Sequence, residues 1–221
     1  MADHRAPDID DLAPLDHLLT TTKQVRKRMD FTRPVPRDLI LDCIDLAQHA
    51  PMGGNLQRNR WMIVDDRELI ERIAVVYERV GRPYLAASED GPMDDTGRRI
   101  VDSARFLVDH LAEVPALVLP MRLDRVAAEA DTGSLAAHWG SVVPGVWSFQ
   151  LAARARGLGS AWTTFTLHHE DEVGEMLGIP DTVTQVALLP VAFYTGETFQ
   201  PAARRPAREI TYANQWKAPV G

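Results

Sequence analysis

Cations concentrate at two places far apart in the sequence of a chain that is acidic overall. Lys23, Arg26, Lys27 and Arg28 crowd the start, and Arg204, Arg205 and Arg208 lie near the end. Each cluster alone reads as a solvated face. Brought together by the fold, the two would make an anion site, because guanidinium forks match the oxygens of a phosphate. A second candidate is the segment Pro51-Met52-Gly53-Gly54-Asn55-Leu56-Gln57. As a tight turn it uses glycine for backbone freedom and Asn55 for a local hydrogen bond. As a ligand site it would bring backbone close to a flat molecule, with the Asn55 and Gln57 amides both donating and accepting. The third candidate is Gly157-Leu158-Gly159-Ser160-Ala161-Trp162-Thr163-Thr164. It lacks the third glycine of a dinucleotide fingerprint and runs from helix to strand. It reads as the left-handed exit of a helix, or as a place where Thr163 and Thr164 offer N–H and hydroxyl groups to a ligand.

Other chemistries have no matching pattern. The chain has no phosphate-binding loop of the GxxxxGK[ST] type and no GxSxG elbow. His168 and His169 are adjacent, so on a regular strand they would face opposite ways, and no metal-ligand spacing surrounds them. Cys43 falls on an apolar helix face and reads as inert core. Trp139, Trp147 and Phe149, at helical spacing, read as core or subunit interface.

The 221 residues carry 24 basic against 31 acidic side chains, a net charge of −7, which argues against a general nucleic-acid binder. With 45% apolar and 25% charged residues the composition is that of a folded globular protein. A single cysteine excludes an internal disulfide framework. The opening residues lack the apolar stretch of a signal peptide, and no apolar run approaches the ~20 residues that span a bilayer. A cytoplasmic protein without membrane partners is expected.

The positioning elements follow from periodicity. Residues 1–14 read as a mobile tail, with a short helix over 15–22. Pro34-Val35-Pro36 forces an extended entry to a helix over 37–49, whose Leu39, Ile40, Cys43, Ile44 and Ala47 share one face. Strands are expected over 61–64, 115–121, 158–164 and 186–194, and helices over 68–80, 98–112, 135–156 and 170–177. The spacing predicts a kink at Pro144-Gly145 and a cap at Gly178. Residues 81–97, rich in Gly, Pro and Asp, read as a loop or lid. The tail after Gly196 is polar and Pro-rich yet holds Phe199, Tyr212 and Trp216, which suggests that it wraps something, such as a second subunit. Helices and strands mix without βαβ alternation, so the expected class is α+β.

Taken in order, these segments resemble the FMN-dependent nitroreductase family over roughly residues 15–217. The resemblance rests on Thr22-Lys23-Gln24-Val25-Arg26, Pro34-Val35-Pro36, Ala50-Pro51-Met52-Gly53-Gly54-Asn55-Leu56-Gln57, Gly157 to Thr164, Leu188-Leu189-Pro190-Val191 and Arg204-Arg205-Pro206. It implies a single domain with a mostly antiparallel central sheet flanked by helices, a lid at about 81–106 and a C-terminal arm at 196–217. That arm would cross to the partner in a homodimer, with FMN at the interface.

Carried over by position, Arg26 would approach the N1/O2 edge or ribityl chain, while Lys23, Arg28 and Arg204, with Arg205, would hold the phosphate. Pro51, Met52 and Gly53 would line the ring by backbone, Asn55 and Gln57 would bond its polar edges, and Thr163 or Thr164 would donate to N5. The sequence departs from the pattern at Thr22 and Gln24 (usually Arg and Ser), at Met52 (usually Ser) and at Asn59 (often Trp). The implied activity is ping-pong transfer from NADPH or NADH, through the flavin, to a nitroaromatic, quinone or similar small aromatic acceptor. The alternatives are a flavoenzyme of the same fold with another task, such as reductive dehalogenation or oxygen-dependent dehydrogenation, and a non-catalytic flavin carrier.

Overall fold

A computed structural model describes residues 12–89 and 91–220, Glu89 by its backbone alone. The expected N-terminal tail falls, up to residue 11, outside the described residues. The expected single domain corresponds to two compact units. Lys23–Gly196 forms one, and the described residues of Met1–Thr22 and Glu197–Gly221 form the other.

The centre of the larger unit is β3 (Ala116–Arg122), buried at all seven positions, as an apolar run covered on both faces must be. β2 (Asn59–Val64) pairs with it antiparallel, Trp61 opposite Pro120. β6 (Leu189–Tyr194) lies on its other side, Ala116 opposite Val191. β1 (Met29–Asp30) and β4 (Leu158–Ser160) both join β6, and β5 (Thr184–Gln185) joins the end of β3, all antiparallel. The sheet is thus antiparallel throughout, in agreement with the expected α+β class. α2 (Arg37–Ala47) and α6 (Val143–Ala155) pack together, and a core including Ile40, Cys43, Val146, Phe149, Val118 and Leu189 fills the space between them and the sheet.

α7 (Glu170–Leu177) ends where the sequence says it must, at Gly178 with φ 66°. Elsewhere the structure corrects the sequence reading. α3 runs from Arg67 to Glu89 straight through Pro83, and α4 (Asp95–His110) follows, so residues 81–97 are mostly helical rather than a loop. Gly81 is not a breaker here. A Cβ at Gly81 would come 2.7 Å from Val108 Cγ2 and 3.0 Å from the Phe165 ring, so the missing side chain lets α4 and the Phe165 turn approach α3. The kink expected at Pro144 is a full break between α5 (Thr132–Gly140) and α6, with Pro144 in the first turn of the new helix, where its missing N–H is not needed. The strand expected to reach Thr164 stops at Ser160, apart from one bridge between Thr163 and Leu188. His168 and His169 close a 3-10 turn, Phe165–His169, rather than lying on a strand.

The smaller unit holds α1 (Ala13–Thr21), the short α8 (Ala207–Ile210), and a bridge between Tyr212 and Pro219. Tyr212 and Trp216 meet edge to face at 4.8 Å. Among the described residues no helix is long and apolar enough to cross a membrane.

Candidate functional site

Arg26 owes its position to its neighbours in sequence. The Val25 N–H donates to Ser160 O at 2.9 Å, and the Gln24 side-chain oxygen accepts from the Trp162 N–H, so the segment is laid along β4. Val25 is buried against Gly159, where a Cβ would come 2.7 Å from Val25 Cγ1. The second glycine of Gly157-Leu158-Gly159 therefore serves close backbone packing. With Val25 turned inward, the next residue, Arg26, lines a cavity of about 280 Å³.

That cavity lies between α3, α4 and the turn after β4. Its aromatic side is Tyr84 and Tyr77, each packed on Phe165 at 5.3 and 5.0 Å, together with Trp162. The α4 wall is apolar: Ile100, Val101 and Ala104. Arg26 is half-buried, and burial pulls its pKa below the ordinary value. Among the described residues no carboxylate pairs with it, which leaves a partly desolvated cation facing an aromatic hollow.

Tyr77, 2% exposed, stands beside Arg26. Burial pushes its phenol up to about 12, against the opposing effects of Arg26 and of a hydrogen bond with the Thr163 side chain. The Thr163 hydroxyl donates to Leu188 O at 2.8 Å. The Thr163 N–H also goes to Leu188 O, at 3.1 Å. Both donors of Thr163 are thus occupied. Thr164 is exposed and lines the same cavity, and among the described residues neither its N–H nor its hydroxyl is engaged as a donor. Of the two threonines offered by the sequence, Thr164 is the one free to donate to a ligand.

The segment from Pro51 to Gln57 is an exposed loop around a 3-10 turn, Gly53–Asn55, and none of it lines the Arg26 cavity. Gly54 and Asn55 take left-handed conformations (φ 62° and 53°), which glycine and asparagine tolerate best. Ser141, 4% exposed, holds the turn from behind. Its Oγ accepts from the Gly53 N–H at 3.0 Å and donates to Ala137 O at 2.7 Å, and its carbonyl accepts from Asn59 Nδ2 at 2.9 Å. Asn59 is buried in the strand leaving the loop, and its Oδ1 lacks a partner among the described residues.

The remaining basic residues divide between the two units. Lys23 is exposed at the start of the larger unit. Arg28 donates to Thr195 O at 2.6 Å and lies over the Tyr194 ring, tied to the end of β6. Arg204 and Arg205 are exposed in the smaller unit, where Arg205 pairs with Glu209 at 3.5 Å. Among the described residues no group of acidic, histidine or cysteine side chains is arranged to hold a metal ion.

Sequence reasoning missed Tyr77 and Ser141. Tyr77 sits in a strongly apolar helix face, and its only signal is that a buried phenol needs a partner. Ser141 falls in what reads as one continuous helix; the break that exposes its hydroxyl to Gly53 is tertiary.

The chain is 21% identical to a crystallised iodotyrosine deiodinase bound to FMN and 3-iodo-L-tyrosine, with a TM-score of 0.65 over 91% of this chain and 98% of that one. A BluB-like flavoprotein from Clostridium difficile 630 superposes with a TM-score of 0.65 at 20% identity, over 93% of this chain and all of that one. The FMN and NADPH-dependent nitroreductase NfnB from Sphigopyxis sp. strain HMH gives 0.64 at 19% identity, over 91% of this chain and 99% of that one. At these identities the likeness speaks for the fold. The Nitroreductase family profile matches residues 27–193, most of the chain, and the chain belongs to that family of flavin oxidoreductases.

Proposed function

We propose that this protein binds FMN and passes electrons from NADPH or NADH to a small aromatic acceptor, such as a nitro compound or a quinone, and that it works as a homodimer. The observation that carries the reading is the half-buried Arg26 cation, without a carboxylate partner, opening into an aromatic cavity beside the free donors of Thr164. At about 280 Å³ the cavity suits a flat ring rather than a whole mononucleotide, which leaves the phosphate to cations outside it. In the larger unit the candidates are Lys23 and, more weakly, Arg28 at the end of β6; in the smaller unit the resemblance offers Arg204 and Arg205.

FMN, when bound, supplies a ring that accepts a hydride and gives electrons up again. The chain's residues need only bind, orient and balance charge. Arg26 favours the electron-rich, reduced ring, since a partly desolvated cation near developing negative charge can contribute about 1.5–3 kcal/mol. Thr164 orients the ring by donating to one edge, and the bonds between Thr163 and Leu188 hold the neighbouring backbone in register. The apolar wall of α4 keeps water from the face where donor and acceptor would stack in turn. No protein nucleophile is required.

Two features support the dimer. The loop from Pro51 to Gln57, which the family pattern brings to the ring, stands apart from the Arg26 cavity within one chain. A second copy would supply it. Leu135 and Trp139 on α5 and Val143 and Trp147 on α6, each 37–39% exposed, are exposed apolar side chains of the kind that subunit interfaces bury. The arm carrying Tyr212 and Trp216, the latter 79% exposed, is assigned to the same contact.

Anaerobic addition of NADPH or NADH to the purified, FMN-loaded protein tests the reading. Bleaching of the flavin band, reversed by a quinone, is the expected result. A loaded protein that neither dinucleotide bleaches is a carrier or takes its electrons elsewhere.

A further inference from the structure

A hollow of about 410 Å³ opens in the larger unit between α7, β5 and the segment that follows β3, and it shares no lining residue with the Arg26 cavity. Its charged lining is one-sided: Glu170, Asp171, Glu175 and Asp181 against Arg125. Arg125 is already engaged, paired with the Glu170 carboxylate and donating to Asp181 O. Among the described residues the carboxylates of Asp171, Glu175 and Asp181 have no cation within ion-pair distance. The helix explains one of the three, since Asp171 lies in the first turn of α7, where a negative charge is favoured. Glu175 lies in the last turn, where the carbonyl ends disfavour a carboxylate, and Asp181 lies beyond the helix.

An uncharged side chain in the same hollow also calls for a donor. Gln185 is 3% exposed and belongs to the lining. Its Nε2 donates to Glu170 O at 2.7 Å, and a Cβ at Gly174 would stand 3.5 Å from that nitrogen. Glu170 and Gly174 both line the hollow, so the amide lies on its floor. The Gln185 Oε1 has no partner among the described residues. A buried amide oxygen left unmet is costly, and an N–H from a ligand would meet it. The uncharged wall is aliphatic, from Ile179, Pro180 and Val183.

We propose that this hollow binds an aliphatic amine carrying two or more ammonium groups. One ammonium donates to Gln185 Oε1, another answers Glu175 and Asp181, and the methylene stem rests on the aliphatic wall. A metal ion fits less well, because among the described residues no group of acidic side chains is arranged to hold one. Carboxylates spread around a rim suit charges spaced along a chain. Free polyamines have this chemistry, and so do the lysine side chains of a basic peptide. The inference is independent of the flavin reading.

Calorimetric titration of the full-length protein at low salt tests it, with spermidine, the monoamine n-butylamine, a tetralysine peptide and magnesium chloride as probes. Three variants are compared with wild type. Glu175→Gln/Asp181→Asn neutralises two exposed carboxylates that make no ion pair, so the fold is retained. Gln185→Leu removes the buried acceptor and keeps the net charge. Asp42→Asn/Asp45→Asn removes two exposed charges from α2, far from the lining in sequence. The expected result is saturable spermidine binding, weakened roughly tenfold by Glu175→Gln/Asp181→Asn and severalfold by Gln185→Leu, unchanged by the α2 variant, with n-butylamine much weaker. Tetralysine binding in place of spermidine, lost in the same two variants, keeps the site and names a peptide as its source. Equal weakening by the α2 variant would reveal attraction to the acidic chain as a whole and overturn the site. Binding of neither polycation, or saturation by magnesium as tight as by spermidine, overturns it too. Far-UV dichroism shows whether Gln185→Leu folds; where it does not, the two charge variants decide. No turnover enters the readout, so a failure of the flavin reading leaves this result standing.

Discussion

Val25 lies directly on the backbone of Gly159, so close that a Cβ at position 159 would stand 2.7 Å from Val25 Cγ1 and 2.8 Å from its Cβ. That contact fixes the register of the Lys23–Arg26 segment along β4, and with it the side chain that enters the cavity. Gly159→Ala is therefore expected to push the segment away, lowering stability by about 1–3 kcal/mol through overpacking. FMN affinity falls with it. Chemical denaturation and FMN titration of the variant check both, and an unchanged midpoint with unchanged affinity would remove the contact from the account.

Tyr77 makes stability depend on pH at the alkaline end. Its phenol is held at about 12, against the ordinary 10, so the folded state favours the protonated form. The stability from that preference is whole below pH 10 and is lost as pH climbs from 10 towards 12. Over this window wild type loses on the order of 2–3 kcal/mol more than Tyr77→Phe does. Cys43, raised by burial to about 11, titrates in the same direction and is common to both proteins. Urea melts at several alkaline pH values separate the two, and parallel pH profiles would mean that the phenol is solvated.

Ser141 acts on the Gly53–Asn55 turn through its single oxygen. Ser141→Ala removes the acceptor of the Gly53 N–H, a loss of about 1 kcal/mol of local stability. Hydrogen exchange at the Gly53 and Asn55 amides is expected to accelerate while the core strands stay protected. Uniform acceleration across the chain would show a general packing defect instead.

How much of this the sequence discloses differs by element. α2 and α7 are legible because apolar periodicity, Pro36 at the entry of one and Gly178 at the exit of the other are all local signals. Residues 81–89 are not, because Gly81-Arg82-Pro83 looks like punctuation, and only the approach of Val108 and Phe165 shows why a glycine belongs in a long helix. β1, two residues long, is defined by its pairing with β6 alone. In the site, Arg26, Thr163 and Thr164 are brought together as the sequence suggests. The choice between the two threonines depends on Leu188, a partner that no spacing in the chain reveals.

The exposed tryptophans of α5 and α6 give the dimer a direct check. Trp139→Glu/Trp147→Glu places charge on two side chains that are each 37% exposed in the single chain. Light scattering is expected to find a dimer in wild type and a monomer in the double variant, with far-UV dichroism unchanged and FMN lost on gel filtration. A variant that remains dimeric would move the interface elsewhere.

The central claim is that the cavity beside Arg26 receives the flavin ring, and FMN titration of apoprotein carrying Arg26→Ala tests it most directly. A folded variant whose FMN Kd is weakened roughly tenfold or more, and which elutes colourless where wild type elutes yellow, is the predicted result. Wild-type FMN affinity in the variant, or a wild-type apoprotein that takes up no FMN at all, would contradict it.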